Sequence, residues 1–181
     1  MLCCYIHGGV THLKKILSID FSTGSKSKEG TGYAFRDEEG KLIVGSVKPY
    51  TKGSTMKSRT LIIVEELEEI ILRYELQDYD ICIERPILAG NSAGSIELAQ
   101  WNGYALGKMH ALTKGYIYNI RNSKWCAFHL IKGKRKERKD ASCELYERVM
   151  GEPTKDDNKA DALAQLLYCE EVDYKTIYEK E

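Results

Sequence analysis

Apolar positions along this chain fall into two kinds of run, short continuous ones and longer ones spaced at three and four residues, and their order predicts its elements. Residues 15–22 (KILSIDFS) are dense in β-compatible apolar side chains and contain an acid near their end, as a central strand would if that side chain faced a site. A polar, turn-like stretch at 23–30 leads into 31–36 (TGYAFR). An Asp-Glu-Glu-Gly turn at 37–40 then precedes 41–47 (KLIVGSV), so the first three strands form an antiparallel meander. From 54 to 76, Leu61, Val64, Leu67, Ile71 and Tyr74 recur at the spacing of an amphipathic helix packed on a sheet. Residues 80–84 (DICIE) return to strand and are too continuously apolar for an edge; 95–112 read as helix and 116–120 (YIYNI) as a short strand. The remainder is helical, with a short element around Trp125 and longer ones at 136–149 and 157–169. This order predicts an α/β protein, a mixed sheet with helices covering its faces.

Composition adds limits to that picture. The 181 residues suit one domain with one core, and 43% hydrophobic with 30% charged residues is ordinary for a folded, water-soluble chain. Residues 13–171 are expected to form that domain, with 1–12 a leader outside it and 172–181 a tail. Cys3, Cys4, His7 and His12 crowd the leader, but adjacent cysteines splay apart and do not match the spacing of paired zinc ligands. The six cysteines show no disulfide framework, no apolar stretch reaches the roughly 18 residues of a membrane span, and the start lacks a secretory signal plan, so a cytoplasmic location is expected.

Twenty-seven basic residues balance 27 acidic ones, so any polyanion-binding surface must come from local clustering. One cluster stands out: Lys132, Lys134, Arg135, Lys136, Arg138 and Lys139, broken only by Gly133 and Glu137. It is either a solvated face or a phosphate-contacting surface.

Acids occur where the predicted elements would aim them at one place: Asp20 at the end of the first strand, Glu84 at the end of the fourth, and Asp157 to Asp161 at the start of the last helix. Singly these are turn, strand-end and helix-cap residues. Together they describe an oxygen cage, because an acid closing an apolar strand is costly unless it is paired or binds a cation. Magnesium, with manganese as a substitute, takes carboxylates, waters and phosphate oxygens, and two such ions roughly 4 Å apart suit phosphodiester hydrolysis.

Three segments carry a resemblance. ILSIDFST followed by GTGYAF, ICIERPILAGNSAGSIELAQWNGYALG, and DNKADALAQLLY are similar, in order and spacing, to the catalytic segments of the RuvC-type Holliday-junction resolvases. The tract NSKWCAFHLIKGKRKERKD resembles phage members from Gram-positive hosts. The resemblance implies an RNase H-like fold with a five-stranded sheet. It implies metal ligands at Asp20, Glu84 and Asp161, and basic residues of 132–139 near the DNA backbone. It also implies a homodimer that cuts four-way junctions by paired nicks, leaving 5′-phosphate and 3′-hydroxyl ends. The helix at 95–112, where Gly103, Ala105 and Gly107 permit close approach, is the expected dimer face or else a tight packing surface on the sheet.

Two positions depart from the bacterial pattern: Asn158 stands where an acid precedes the last Asp by three residues, and Ile87 replaces an aromatic three residues after the Glu. Asp157, four residues before Asp161 and so on a shared helix face, is the expected fourth acidic ligand. Trp101 and Trp125 are expected in core or interface, and His110 and His129 as solvated or satisfied residues. An actin-like kinase or ATPase would need a second domain that this length excludes. The remaining alternative is a non-catalytic branched-DNA-binding protein on the same scaffold.

Overall fold

The computed structural model describes residues 14–23, 30–85 and 93–172. The leader at 1–12, Ile87 and the tail from 173 lie outside the described residues.

Strand β1 (Ile16–Asp20) is the centre of the sheet because its side chains are apolar or neutral on both faces until the last. It pairs antiparallel with β2 (Thr31–Arg36), which pairs antiparallel with β3 (Leu42–Val47). On the other side it runs parallel to β4 (Asp80–Glu84), which runs parallel to β5 (Ile117–Ile120). The order β3-β2-β1-β4-β5 is the expected five-stranded mixed sheet.

Period-two alternation gives each strand two faces, and each face has its own core. Leu17, Ile19, Phe35, Ile81 and Ile83 point toward α1 (Met56–Arg73) and α2 (Ala93–Leu112), where they meet Ile63, Leu67, Ile71, Ala105 and Met109. Ile16, Ala34 and Cys82 point the other way, toward α3 (Asn122–Phe128), α4 (Arg135–Met150) and α5 (Asp157–Glu171). Trp125 is 1% exposed in this second core, and among the described residues Cys82, Cys126, Cys143 and Cys169 are free thiols. His129 is satisfied through its Nε2, which lies 2.7 Å from the Ala164 carbonyl, while His110 is exposed.

Helix ends are set locally. Thr55 Oγ1 accepts from the Ser58 N–H at 3.1 Å and Ser58 Oγ accepts from the Thr55 N–H at 3.0 Å, a reciprocal cap that starts α1. The next residue, Arg59, is buried and donates from Nε to the Thr23 carbonyl at 2.7 Å, which ties α1 to the segment that follows Asp20. In α2 the small residues divide: Ala105 is buried against α1, whereas Gly103 and Gly107 are exposed with open space where a side chain would stand. Among the described residues no helix is long and apolar enough to cross a membrane.

One close approach governs the rest. A Cβ on Gly32 would lie 2.0 Å from the Asn158 carbonyl oxygen, so the first turn of α5 rests directly on the backbone of β2. Both partners are backbone, and no rotamer change can relieve the clash. Replacing Gly32→Ala should therefore lower stability by about 1–3 kcal/mol, read as an earlier urea midpoint; an unchanged midpoint would mean that α5 can shift freely on the sheet.

Candidate active site

Alternation decides which way the acids point. Ser18 and Cys82 are paired across β1 and β4, and both face α5, so Asp20 and Glu84, each two residues further on, emerge side by side on that same face. They stand at the carboxyl ends of two parallel strands, where open α/β sheets form their clefts. Asp161 comes in from α5, one turn after its start. The three line a cleft of about 490 Å³ together with Asn102, Asn122, Trp125, Ser142 and Asn158.

Their electrostatics follow from that placement. Burial, followed by repulsion from Glu84 and Asp161, pushes the Asp20 carboxyl well above its ordinary range. Glu84 is raised by burial, partly offset by its bond to Asn122. Asp161 is pushed up to about 6, again by burial first, with a Ser142 hydrogen bond working in the opposite direction. The Asp161 Oδ1 is buried and has no hydrogen-bond partner.

Neighbouring side chains orient this acid floor. Asn122 Nδ2 donates to Glu84 Oε2 at 3.0 Å, and the Asn122 Oδ1 accepts from Arg138 at 3.1 Å. The Thr31 hydroxyl donates to the Ser22 carbonyl at 2.9 Å and accepts from the Ser22 N–H at 3.2 Å, fixing the backbone just after Asp20. Sequence reasoning assigned no role to Asn122, Ser142 or Thr31. An Asn that opens a short helix reads as a local helix-start residue, and nothing in the spacing of Asn122 to Glu84 marks them as neighbours.

The basic tract is divided by the helix it starts. Lys132, Lys134, Arg135 and Lys136 are exposed, while Arg138 and Lys139 are half-buried. Arg135, Arg138 and Lys139 stand at helical spacing on one face of α4 and line the same cleft as the acids, together with Arg85.

The start of α5 differs from the expectation for Asp157. The helix begins at Asp157, and the residues it turns to the cleft are Asn158 and Asp161; Asp157 is turned aside to an ion pair with Lys139 and does not line the cleft. Asp156 is engaged as the helix cap, accepting from the Lys159 N–H and from the Ser46 hydroxyl and pairing with Lys48. Asn158 does line the cleft, with its Nδ2 donating to the Gly30 carbonyl at 2.5 Å, so its side-chain oxygen is the atom left for the cleft.

The donor set is all oxygen, which suits a hard divalent cation, and the unpartnered buried oxygen of Asp161 is the kind of atom such a cation satisfies. As they stand the acids are spread around the wall: among the described residues no three acidic, His or Cys side chains are close enough to grip a single ion. Ions that complete their shells with water and phosphate ask only one or two carboxylates each of the protein.

Residues 13–171 match the model of a family described as Lactococcus phage M3 protein (DUF3882). The chain belongs to that family. No curated protein matches this M3-family chain in sequence. Among solved structures it is similar to RuvC of Thermus thermophilus in complex with a Holliday junction substrate, with a TM-score of 0.60 and 15% identity over 84% of this chain and 90% of that one. A second Thermus thermophilus RuvC structure has a TM-score of 0.55 and 18% identity over 84% and 91% of the two chains. The M3-family chain thus has the RNase H-like fold of RuvC.

Because the folded pKa of Asp161 exceeds its unfolded value, the fold favours the protonated acid. The stabilisation is complete below about pH 4 and is lost as pH rises through about 6. In EDTA, Asp161→Asn should therefore be more stable than the parent above pH 7, by roughly 1–3 kcal/mol, with the two curves converging below pH 4. Thermal melts across pH check this, and a variant less stable than the parent at pH 8 would contradict it.

Proposed function

We propose that this protein is a metal-dependent, structure-selective endonuclease that resolves Holliday junctions and related branched DNA by paired nicks. One observation carries the reading: two carboxylates at the ends of a parallel strand pair and a third from α5 line one cleft with the basic residues of α4. Acids alone would repel DNA, and bases alone would bind it without chemistry. The two together suit a phosphodiester approached by cations.

Asp20, Glu84 and Asp161 would hold two magnesium ions, or manganese in their place. Bound there, the ions would lower the pKa of water and offset charge on the leaving oxygen, giving 5′-phosphate and 3′-hydroxyl ends. Asn122 keeps the Glu84 carboxylate turned to the cleft. Arg135, Arg138 and Lys139 draw the phosphate in, helped by the positive end of α4. Cations at a helix N-terminus oppose the helix dipole and cost stability, so their concentration there favours an anion-binding role over a merely solvated face. Lys132, Lys134 and Lys136 extend the same surface outward. Asn158 has the better position to supply a fourth oxygen, and Asp157, paired with Lys139, sets the place of that lysine.

Two symmetric nicks call for two sites, and a homodimer supplies them. The outer face of α2 is the proposed contact, since Gly103 and Gly107 leave room for a second helix and Ile96 and Tyr104 are exposed on the same helix. Sedimentation checks this, with Gly107→Glu expected to be a monomer. The family's description as a Lactococcus phage protein supports action in the cytoplasm of a Gram-positive host.

A synthetic four-way junction tests the reading. Cleavage should require magnesium, stop in EDTA, and fall at least a hundredfold in Asp20→Asn and Glu84→Gln while binding persists. Asn158→Ala should cut more slowly than Asp157→Asn. Neutralising Arg135 with Lys134 and Lys136 should weaken binding equally for all junction sequences and reduce the salt dependence by about one per lost contact. Binding without cleavage in the unaltered protein would instead establish the non-catalytic junction binder.

A further inference from the structure

Beneath the acid floor lies a buried amide that neither the cores nor the cleft needs. Gln165 is 1% exposed in the middle of α5. Its Nε2 donates to Ser18 Oγ at 2.9 Å and to the Cys82 carbonyl at 2.8 Å, with the Ile19 carbonyl at 3.5 Å. One side chain thus touches the two parallel strands that end in Asp20 and Glu84, from the helix that carries Asp161.

The spacing gives these contacts meaning. Ser18 is two residues before Asp20 and Cys82 two before Glu84, about 6–7 Å along each strand and on the same face. Asp161 is four residues before Gln165, about 6 Å along the helix and one turn away on the same side. All three acids therefore lie at nearly the same distance from one point. A displacement of α5 along the sheet would move Asp161 relative to Asp20 and Glu84, and Gln165 is the polar contact that registers it against both strands.

Burial of this amide has a cost that packing alone does not explain. Gln165 Oε1 is buried with no hydrogen-bond partner. An apolar side chain of similar volume would fill the space without an unsatisfied acceptor, at the cost of leaving the Ser18 hydroxyl and the Cys82 carbonyl without this donor. We infer that Gln165 is a positioning residue that sets the spacing of Asp20, Glu84 and Asp161 for divalent-ion binding. The inference rests on the metal-dependent reading above.

The test measures ion binding apart from cleavage. Full-length protein is melted across a manganese titration for the parent, Gln165→Met, Ser18→Ala and Asp161→Asn. The parent should gain melting temperature with manganese and Asp161→Asn should not. Gln165→Met should melt within a few degrees of the parent in EDTA yet need at least tenfold more manganese for half of the gain. Ser18→Ala, which removes one of the contacts and keeps the glutamine, should shift the same midpoint about threefold; it carries the test if Gln165→Met does not fold. A lower melting temperature in EDTA with an unchanged manganese midpoint would make Gln165 merely structural and overturn the inference alone. A parent that shows no manganese response would overturn the metal-dependent reading and this inference with it.

Discussion

Three carboxylates must be held together where burial and mutual repulsion both oppose their charge, and most of the local architecture answers that demand. Asp20 and Glu84 are adjacent because β1 and β4 are parallel neighbours in matched register. Asp161 reaches them because α5 lies on the sheet closely enough for its first turn to touch the backbone at Gly32. Burial raises the proton affinity of all three, and repulsion from neighbouring acids adds to it for Asp20 and Asp161. Such a cost is easier to understand at a functional site than in a core, because cations or protons can relieve it.

Basic residues near the acids offset part of the rise in their proton affinity, while their direct contacts go elsewhere. Lys139 is paired with Asp157, outside the cleft lining, and Arg138 donates to the neutral oxygen of Asn122. The direct partners of Lys139 and Arg138 are thus not among the three acids. The three carboxyls stay above their ordinary range even beside these cations, and acidic and basic side chains line one cleft. Asn122 serves both sides, with one end on Glu84 and the other on Arg138.

The elements themselves were legible from residue order. Strands such as 31–36 and 80–84 are bounded by turn residues and have no competing helical spacing, so the structure repeats them residue for residue. Helix ends were less so: α5 runs on to Glu171, where packing extends the last turn beyond the periodic residues. The expected small-residue face of α2 proved to be two faces, because residues 103 and 105 lie on different sides of a helix. Asp157 illustrates the same limit. Its spacing from Asp161 allows a shared face, but the helix begins at Asp157 and Lys139 stands beside it, so the residue turns to α4 instead.

By itself the sequence determined the order of strands and helices, the acids that close two apolar strands, and the basic run that opens a helix, since all of these are written in local periodicity and residue type. Only the tertiary structure decided that Asn158 and not Asp157 lines the cleft, that Asn122 orients Glu84, and that Gln165 spans β1 and β4 from α5. Those relations join residues far apart in the chain, Gln165 with Ser18 and Asn122 with Glu84, and they depend on the rotation and height at which a helix settles on a sheet. Packing of whole elements sets that rotation and height, and no short stretch of sequence contains it.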